Sequence, residues 1–371
     1  MSSRSSAGRA GLLAAGLGLL IAMPACGQFG GLNAEFAGGG ARALAMGGAF
    51  IALADDATAT EFNPAGLWQL RRPELAAQIL YTYDERPTGL LQAGDSGLEV
   101  VFEDDRDDYI IPSFLSFVYP MQRFTLGISE FTNVFYDRGY PHPITGEPLE
   151  EKAANYALGL TLATAPFERF SIGGTVRYNF FRFECDSGDD REIFKDEAWT
   201  ANFGLLWRLH RYIQVGAVYK LPQPLKGQYR GFNVDTELPA TLGFGLALLP
   251  NDRWRILADV DRISWSDFDP NPEDDFYRED VLRYHLGVEW HAGVWKQTAF
   301  FLRAGYLYEE SNAYRYRGDN PYFRQLASED DSIQHLSFGI GMARPRYQLD
   351  IGVDLTEDRG QDIIASIVWY F

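Results

Sequence analysis

The sequence is poor in cysteine and in positive charge. Its 371 residues contain two cysteines, Cys26 and Cys185, and 33 Lys and Arg residues stand against 51 Asp and Glu, which gives a net charge of −18. Cys26 falls in a predicted leader, so the predicted mature chain has one thiol and is not a disulfide-stabilised scaffold. The acidic balance argues against a nucleic-acid partner, since phosphates are bound mainly by Lys and Arg.

Long apolar runs are also scarce, and the longest lies near the N-terminus. Arg4 and Arg9 precede an apolar stretch at 11–23, and small residues follow it. This is the pattern of a secretory signal peptide, and the stretch is too short for a membrane-spanning helix. We therefore predict a cleaved signal peptide at 1–27. A lipoprotein leader acylated at Cys26 is the alternative, although the residues before it match that class poorly.

Aromatic residues are abundant, and from Glu74 onward they lie in segments that alternate apolar and polar positions. Tyr, Phe and Trp number 20, 26 and 8. In one segment Leu282 and Tyr284 alternate with Arg283 and His285, which is the periodicity of a β-strand. Strands are predicted at 74–83, 109–119, 123–136, 154–164, 169–183, 198–209, 212–220, 238–249, 253–265, 281–291, 298–308, 335–343, 346–355 and 362–371.

The connections between these strands alternate in length. Short turns are predicted at 120–122, 165–168, 250–252 and 344–345, and long polar loops at 84–108, 137–153, 184–197, 221–237, 266–280 and 309–334. A chain that meanders through an outer membrane alternates in this way, with brief periplasmic turns and long outer loops. The pattern therefore predicts an all-β fold, a transmembrane antiparallel β-barrel of about 14 strands.

Charged side chains on the second face of the strands are predicted to point into the barrel, because a charge facing lipid costs about 2–4 kcal/mol at mid-depth. An arginine there can hold a carboxylate, whose geometry its planar fork matches. The alternative is that these charges pair with one another across the lumen. The candidates for ligand contact are Arg177, Arg255, Arg283, His285 and Arg303. The histidines show no metal-ligand spacing, so no metal site is predicted, and no cofactor is expected. No Ser lies in a nucleophile elbow, so no enzymatic activity is predicted. An outer-membrane lipase, which needs only a Ser and a His from neighbouring strands, is the alternative.

The last predicted strand ends on Phe371, with Trp369 on the same face. A terminal aromatic residue preceded by apolar residues at every second position resembles the signal that the barrel-assembly machinery reads. An ordinary strand that happens to end in Phe is the alternative. Trp369 and Phe371 are therefore the candidate assembly signal.

The segment before the first strand follows a different pattern. It contains GGGARALAMGGAF at 38–50 and IALADDATATEFNPAGL at 51–67. Asp55 or Asp56 can cap a short helix, and Asn63 followed by Pro64 is typical of an N-cap with proline at the first helical position.

These motifs resemble the N-terminal signature of the FadL family of outer-membrane channels, which PorV-like relatives share. The shared elements are Gly40-Ala41-Arg42, the run from Met46 to Ala49, the pair Asp55-Asp56 and the run from Asn63 to Gly66. The similarity continues at 238–248, 256–268 and 303–312, so it covers most of the predicted mature chain.

The resemblance implies that residues 28–73 fold as a hatch inside a barrel formed by 74–371. A barrel of this width leaves a lumen that must be plugged or remain an open pore. The implied hatch or gating residues are Arg42, Gly47, Gly48, Asp55, Asp56, Asn63, Pro64 and Gly66. For individual residues the alternative is a structural role, as helix caps or ion-pair partners.

The function that the resemblance implies is passive uptake of hydrophobic molecules across the outer membrane, with long-chain fatty acids as the expected ligands. The alternative is a PorV-like barrel that binds or shuttles secreted proteins. The expected partners are the hydrophobic ligand, outer-membrane lipid and lipopolysaccharide, and the barrel-assembly machinery during biogenesis.

Overall fold

The computed structural model describes residues 39–94, 97–141, 148–187, 191–229, 232–267, 275–313, 315–319, 332–356 and 360–371. The predicted signal peptide and the first part of the predicted hatch lie outside these ranges. Among the described helices, none is both long and apolar enough to cross a membrane.

Short helices make up the segment before the first strand. They are α1 (Ala41–Leu44), α2 (Ala59–Phe62) and a 3-10 helix at Pro64–Gln69. The Asn63 side chain accepts a hydrogen bond from the backbone N–H of Ala65, and Pro64 opens the 3-10 helix. The predicted Asn63-Pro64 cap is thus confirmed, and it has the expected physical basis because proline gives up an N–H that would lack a partner there.

The strands follow in one continuous series. They are β1 (Glu74–Gly94), β2 (Gly97–Pro120), β3 (Thr125–Pro141), β4 (Pro148–Phe167), β5 (Phe170–Asp186), β6 (Arg191–His210), β7 (Ile213–Lys220), β8 (Gln223–Tyr229), β9 (Phe232–Leu238), β10 (Thr241–Asn251), β11 (Trp254–Ile263), β12 (Phe276–Tyr277), β13 (Val281–Trp295), β14 (Thr298–Glu309), β15 (Arg315–Tyr316), β16 (Ile333–Arg344), β17 (Tyr347–Thr356) and β18 (Gly360–Tyr370).

Fourteen of these described strands close into a single antiparallel barrel. The order around the wall is β1-β2-β3-β4-β5-β6-β7-β10-β11-β13-β14-β16-β17-β18, and β18 pairs back onto β1 through Glu74 opposite Tyr370. β8 pairs with β9, and β12 with β15, in two small sheets that are separate from the barrel sheet. The predicted barrel and its strand number are confirmed.

The predicted bounds of the long polar loops are wrong at 84–108 and 221–237, because strands occupy much of both ranges. The ladder between β1 and β2 continues out to Gly94 and Gly97, through the predicted loop 84–108, and the β8–β9 hairpin fills most of 221–237. Alternation of apolar and polar residues marks only the part of a strand with two different environments on its faces. Beyond that part, backbone pairing continues without the pattern, so the sequence does not reveal it.

The outer wall carries the large apolar side chains, the reverse of a soluble sandwich. On β4, Leu158, Leu160 and Leu162 are 53%, 67% and 51% exposed, whereas Ala157, Thr161 and Ala163, on the opposite face of the strand, are buried inside. Apolar area left in water costs about 25 cal/mol for each Å², and a bilayer removes that cost. The apolar exterior and the closed wall, which leaves no sheet edge unpaired, make this a transmembrane barrel.

Cys185 lies on β5 and is fully buried. The prediction that the mature chain keeps one cysteine depends on removal of Cys26, which lies outside the described residues, so it stays a prediction.

Candidate functional site

The segment at 39–70, called the lumenal segment below, lies inside the barrel and packs against its inner wall. Met46, Phe50 and Leu67 are fully buried in one apolar cluster with residues of the wall. The Phe50 and Phe62 rings meet edge to face, with centroids 5.2 Å apart. The segment is therefore held by its own packing as well as by the wall.

Glycines of the wall let the backbone of the lumenal segment come close. Four pairs lie directly opposite each other on neighbouring strands: Gly173 and Gly204, Gly216 and Gly245, Gly287 and Gly305, Gly339 and Gly352. A Cβ added at any of the eight would lie within 3.0 Å of an atom of the lumenal segment. Only glycine, which has no Cβ, leaves enough space for the backbone of the segment. The four glycine pairs are therefore the positions at which the segment packs directly against the wall.

Two predicted gating glycines take part in this contact from the other side. Gly47 has φ of +65° and Gly48 has φ of +78°, a region that residues with a side chain rarely adopt. A Cβ on Gly47 would also lie 2.7 Å from the carbonyl oxygen of Tyr306 on β14. Gly66 is confined within the segment itself, because a Cβ there would overlap the carbonyl oxygen of Ala54.

A buried charge network joins the lumenal segment to the wall at Glu289, whose side chain is completely buried. Its carboxylate accepts from Arg42 Nε at 2.9 Å, Arg303 Nε at 2.7 Å and Arg255 Nη1 at 2.5 Å. Arg303 also donates to Asp350 at 2.7 Å. One carboxylate on β13 therefore holds a cation of the segment between two cations of the wall.

Arg42 also forms ion pairs with Asp55 and Asp56, the acidic pair of the N-terminal signature. Its Nη1 lies 2.6 Å from Asp55 Oδ1 and 3.1 Å from Asp56 Oδ2. Burial raises the pKa of the Asp56 carboxyl, although Arg42 and the hydrogen bonds from Thr58 act to lower it. The cost of burying this second acid is thus only partly offset, whereas Asp55 is more exposed. The structure brings these predicted residues together as ion-pair partners.

Hydrogen bonds between wall side chains and the segment's backbone, together with one from Asn63 to the wall's backbone, complete the attachment on the far side. Asp259 Oδ2 accepts from the N–H groups of Phe50 at 2.7 Å and Ile51 at 2.8 Å. His285 Nδ1 donates to the Gly47 carbonyl at 2.7 Å, and Asn63 Nδ2 donates to the Leu205 carbonyl of β6 at 3.0 Å. The backbone polar groups of the segment thus find partners on the wall, as buried groups must.

A cavity of about 150 Å³ lies between the lumenal segment and the long-loop end of the barrel. Its apolar lining consists of Ile51, Phe62, Phe131, Val134, Val218, Leu221, Leu238, Pro239 and Ile263. Its charged lining consists of three cations and two carboxylates, namely Arg177, Lys220, Arg283, Glu61 and Asp261. The cavity therefore combines an oily surface with an excess of positive charge.

Glu61 of α2 stands at the contact between the segment and these cations. Lys220 Nζ lies 2.6 Å from Glu61 Oε1, and Arg177 donates to Glu61 Oε2. Glu61 is buried, but the Lys220 side chain is 25% exposed. Arg283 pairs separately with Glu309 at 2.5 Å. A second carboxylate that entered the cavity could compete with Glu61 for Lys220.

Comparison with solved structures finds the same architecture. A FadL homologue from Pseudomonas aeruginosa aligns with a TM-score of 0.69 at 15% identity, over 89% of this chain and 97% of that one. The Ralstonia pickettii toluene transporter TbuX gives 0.66 at 15% identity, over 91% and 99%. The P. putida toluene transporter TodX gives 0.64 at 15% identity, over 91% and 99%. The chain has the FadL fold. No family model and no curated protein sequence matches it.

Within the FadL fold of this chain, the predicted ligand-contact residues divide into two groups. Arg177 and Arg283 line the cavity. Arg255, Arg303 and His285 do not, because their partners are Glu289, Asp261 and the backbone of the lumenal segment. No group of three His, Cys, Asp or Glu able to hold a metal occurs among the described residues.

Three features of the site escaped sequence analysis. Lys220 is the last residue of a predicted strand, and Glu61 belongs to the segment, so neither was selected as a lumenal charge. The glycine pairs had a signal that could have been used, because each glycine occupies a position on the polar face of its strand.

Trp369 and Phe371 are exposed on the outer wall, and their role in assembly stays a prediction.

Proposed function

We propose that this chain is an outer-membrane channel for the passive entry of hydrophobic molecules that carry an acidic headgroup, with long-chain fatty acids as the class. The observation that carries the proposal is the mixed lining of the 150 Å³ cavity, which is apolar with three cations against two carboxylates. Structures described as a FadL homologue and as toluene transporters share the fold, which supports transport of a hydrophobic compound. A leader at 1–27 and assembly through the C-terminal aromatic residues belong to the same proposal.

The charges favour an acid over a neutral hydrocarbon. A toluene-like ligand would use the apolar lining and leave Lys220 and Arg177 without a role in binding. A carboxylate can accept charge-assisted hydrogen bonds from both, and such bonds are about twice as strong as neutral ones. The acyl chain would lie against Phe62, Phe131 and the other apolar residues of the lining.

The same contacts couple the ligand to the proposed hatch, residues 28–73. A ligand carboxylate that takes Lys220 and Arg177 removes two partners of Glu61 on α2. Because Glu61 is buried, losing both cations leaves an uncompensated buried charge, which is costly. Displacement of α2 would relieve that cost, so ligand binding favours movement of the segment.

Retention of a labelled long-chain fatty acid by the detergent-purified protein tests the proposal. We expect saturable retention that other fatty acids displace and that toluene displaces poorly. Absence of retention, together with a stoichiometric protein partner in the same preparation, would favour the PorV-like binding role instead.

Replacing Lys220 by Gln should weaken fatty-acid retention by roughly tenfold to a hundredfold, because a hydrogen bond to a charged group contributes about 1.5–3 kcal/mol. Lys195→Gln is the matched control, since Lys195 lies exposed on β6 away from the cavity. Dissociation constants for the acid and for its methyl ester separate the effects. Equal losses for acid and ester, or equal losses in both variants, would contradict a headgroup role for Lys220.

A further inference from the structure

The short-turn end of the barrel carries an unusual concentration of positive charge for so acidic a chain. The barrel strands are joined at this end by six short turns, between β2 and β3, β4 and β5, β6 and β7, β10 and β11, β13 and β14, and β16 and β17. Each of these turns presents at least one exposed Arg or Lys, as do the residues just before β1. The exposed cations at this end, called the basic rim below, are Arg71, Arg72, Arg123, Arg169, Arg208, Arg211, Arg253, Lys296, Arg344 and Arg346. The same turns contain only two exposed acids, Glu168 and Asp252.

The cations of the basic rim differ from those of the lumen in their partners. Arg42, Arg177, Arg255, Arg283 and Arg303 each form an ion pair with a carboxylate. None of the ten rim cations forms an ion pair within the part of the chain that the structure describes. Their hydrogen bonds go to neutral groups instead, as from Arg72 to the Pro345 carbonyl and from Arg344 to Thr298. The charge of the rim is thus uncompensated by the protein.

Aromatic residues fix the depth of the basic rim relative to the apolar wall. The guanidinium of Arg211 lies 4.3 Å from the exposed Tyr212 ring centroid, and Lys296 Nζ lies 4.8 Å from that of the exposed Trp295. Arg72 lies 3.7 Å from the ring centroid of Tyr370, which faces the lumen. The other turns repeat the arrangement in sequence, with aromatic residues at 124, 170, 254 and 347 next to a cation. Tyr and Trp mark the membrane–water interface, where lipid phosphates lie.

We propose that the basic rim binds anionic phospholipid headgroups, such as phosphatidylglycerol, in the leaflet at the short-turn end. The inference rests on the membrane location proposed above. Each cation near an anionic membrane surface contributes attraction that falls off within a Debye length. The guanidinium fork adds a directed contact to a phosphate.

The distribution of the cations favours lipid over a docked protein. A protein partner would cover one side of the mouth and select a compact patch. The rim instead places a cation at every turn around the circumference, each with an aromatic residue next to it in the sequence or in contact with it. This spacing fits lipid headgroups, which are separate small anions that surround the barrel at one depth in the membrane.

The test compares two triple variants that change the net charge equally. The rim variant is R123Q/R211Q/R253Q, and the control is K195Q/K226Q/R315Q, whose exposed cations lie toward the long-loop end. Detergent-solubilised protein is titrated with phosphatidylglycerol or phosphatidylcholine of identical acyl chains, and bound lipid is counted by native mass spectrometry. We expect the parent and the control to prefer phosphatidylglycerol by roughly tenfold or more, and the rim variant to lose most of that preference.

A rim variant that keeps the preference, or a parent protein that has none, would overturn the inference. Fatty-acid retention is measured on the same preparations, because the rim residues do not touch the 150 Å³ cavity. Retained fatty acid without a lipid preference refutes the rim alone, whereas a lipid preference without fatty-acid retention refutes the proposed ligand alone.

Discussion

Replacing Glu289 by Gln is expected to lower the free energy of unfolding by about 3–5 kcal/mol, the cost typical of removing one partner from a buried ion pair. The Glu289 side chain is completely buried and accepts from Arg42, Arg255 and Arg303. A neutral amide removes the negative charge that compensates these three cations, so the cations repel one another in a buried site. Because Arg42 belongs to the lumenal segment, we also expect the segment to detach before the barrel unfolds.

The measurement is urea unfolding of the reconstituted protein, followed by tryptophan fluorescence and by the heat-dependent mobility shift of folded barrels. Asp56→Asn is the control, since it removes a carboxylate from the same network. Burial raises the pKa of Asp56, which means that keeping its buried carboxylate charged costs free energy. After the substitution, Arg42 keeps Asp55 and Glu289 as ion-pair partners. We expect a much smaller loss for Asp56→Asn. Equal losses in the two variants would show that Glu289 is not the centre of the network.

Replacing Gly305 by Val should open the barrel while leaving its wall intact. A Cβ at Gly305 would overlap the backbone of Met46 and Gly47, and backbone atoms cannot move aside as the end of a flexible side chain can. Ordinary overpacking costs about 1–3 kcal/mol. At Gly305 we expect the lumenal segment to detach from the wall instead, because its backbone cannot make room for the added side chain. The lumen then becomes a water-filled pore.

Single-channel conductance in planar bilayers measures the change, and we expect a rise from an essentially closed state to that of an open pore. Gly174→Val is the matched control. Gly174 lies on β5, and a Cβ there would be 3.6 Å from the nearest atom, which is ordinary contact. A Gly305→Val protein that stays closed, or a Gly174→Val protein that opens as widely, would contradict the role of the glycine pairs.

The predictability of the fold varied along each strand. The alternation in β13, with Leu282 and Tyr284 on one face and Arg283 and His285 on the other, identified the strand and both of its environments. The same rule failed beyond residue 83 of β1, where no lipid lies on one side to impose alternation. Strand identity was therefore predictable in the membrane and strand length was not.

The site was predictable by residue type but not by partner. Arg177 and Arg303 have the same sequence signal, a cation on the polar face of a strand. Arg177 lines the 150 Å³ cavity, whereas Arg303 pairs with Glu289 and Asp350 beneath the lumenal segment. Their difference depends on the height of each residue along the barrel axis relative to the segment.

The sequence by itself determined that this chain forms a barrel of fourteen strands with short turns at one end, because those properties depend on neighbouring residues and on the two solvents that each strand meets. Only the tertiary structure decided which charges pair with one another, which of them line the cavity and which, among the described residues, stay unpaired at the short-turn end. The physical reason is distance along the chain. Arg42 and Glu289 meet through the register of fourteen strands and the seating of the segment on glycine pairs, and no local pattern encodes that register.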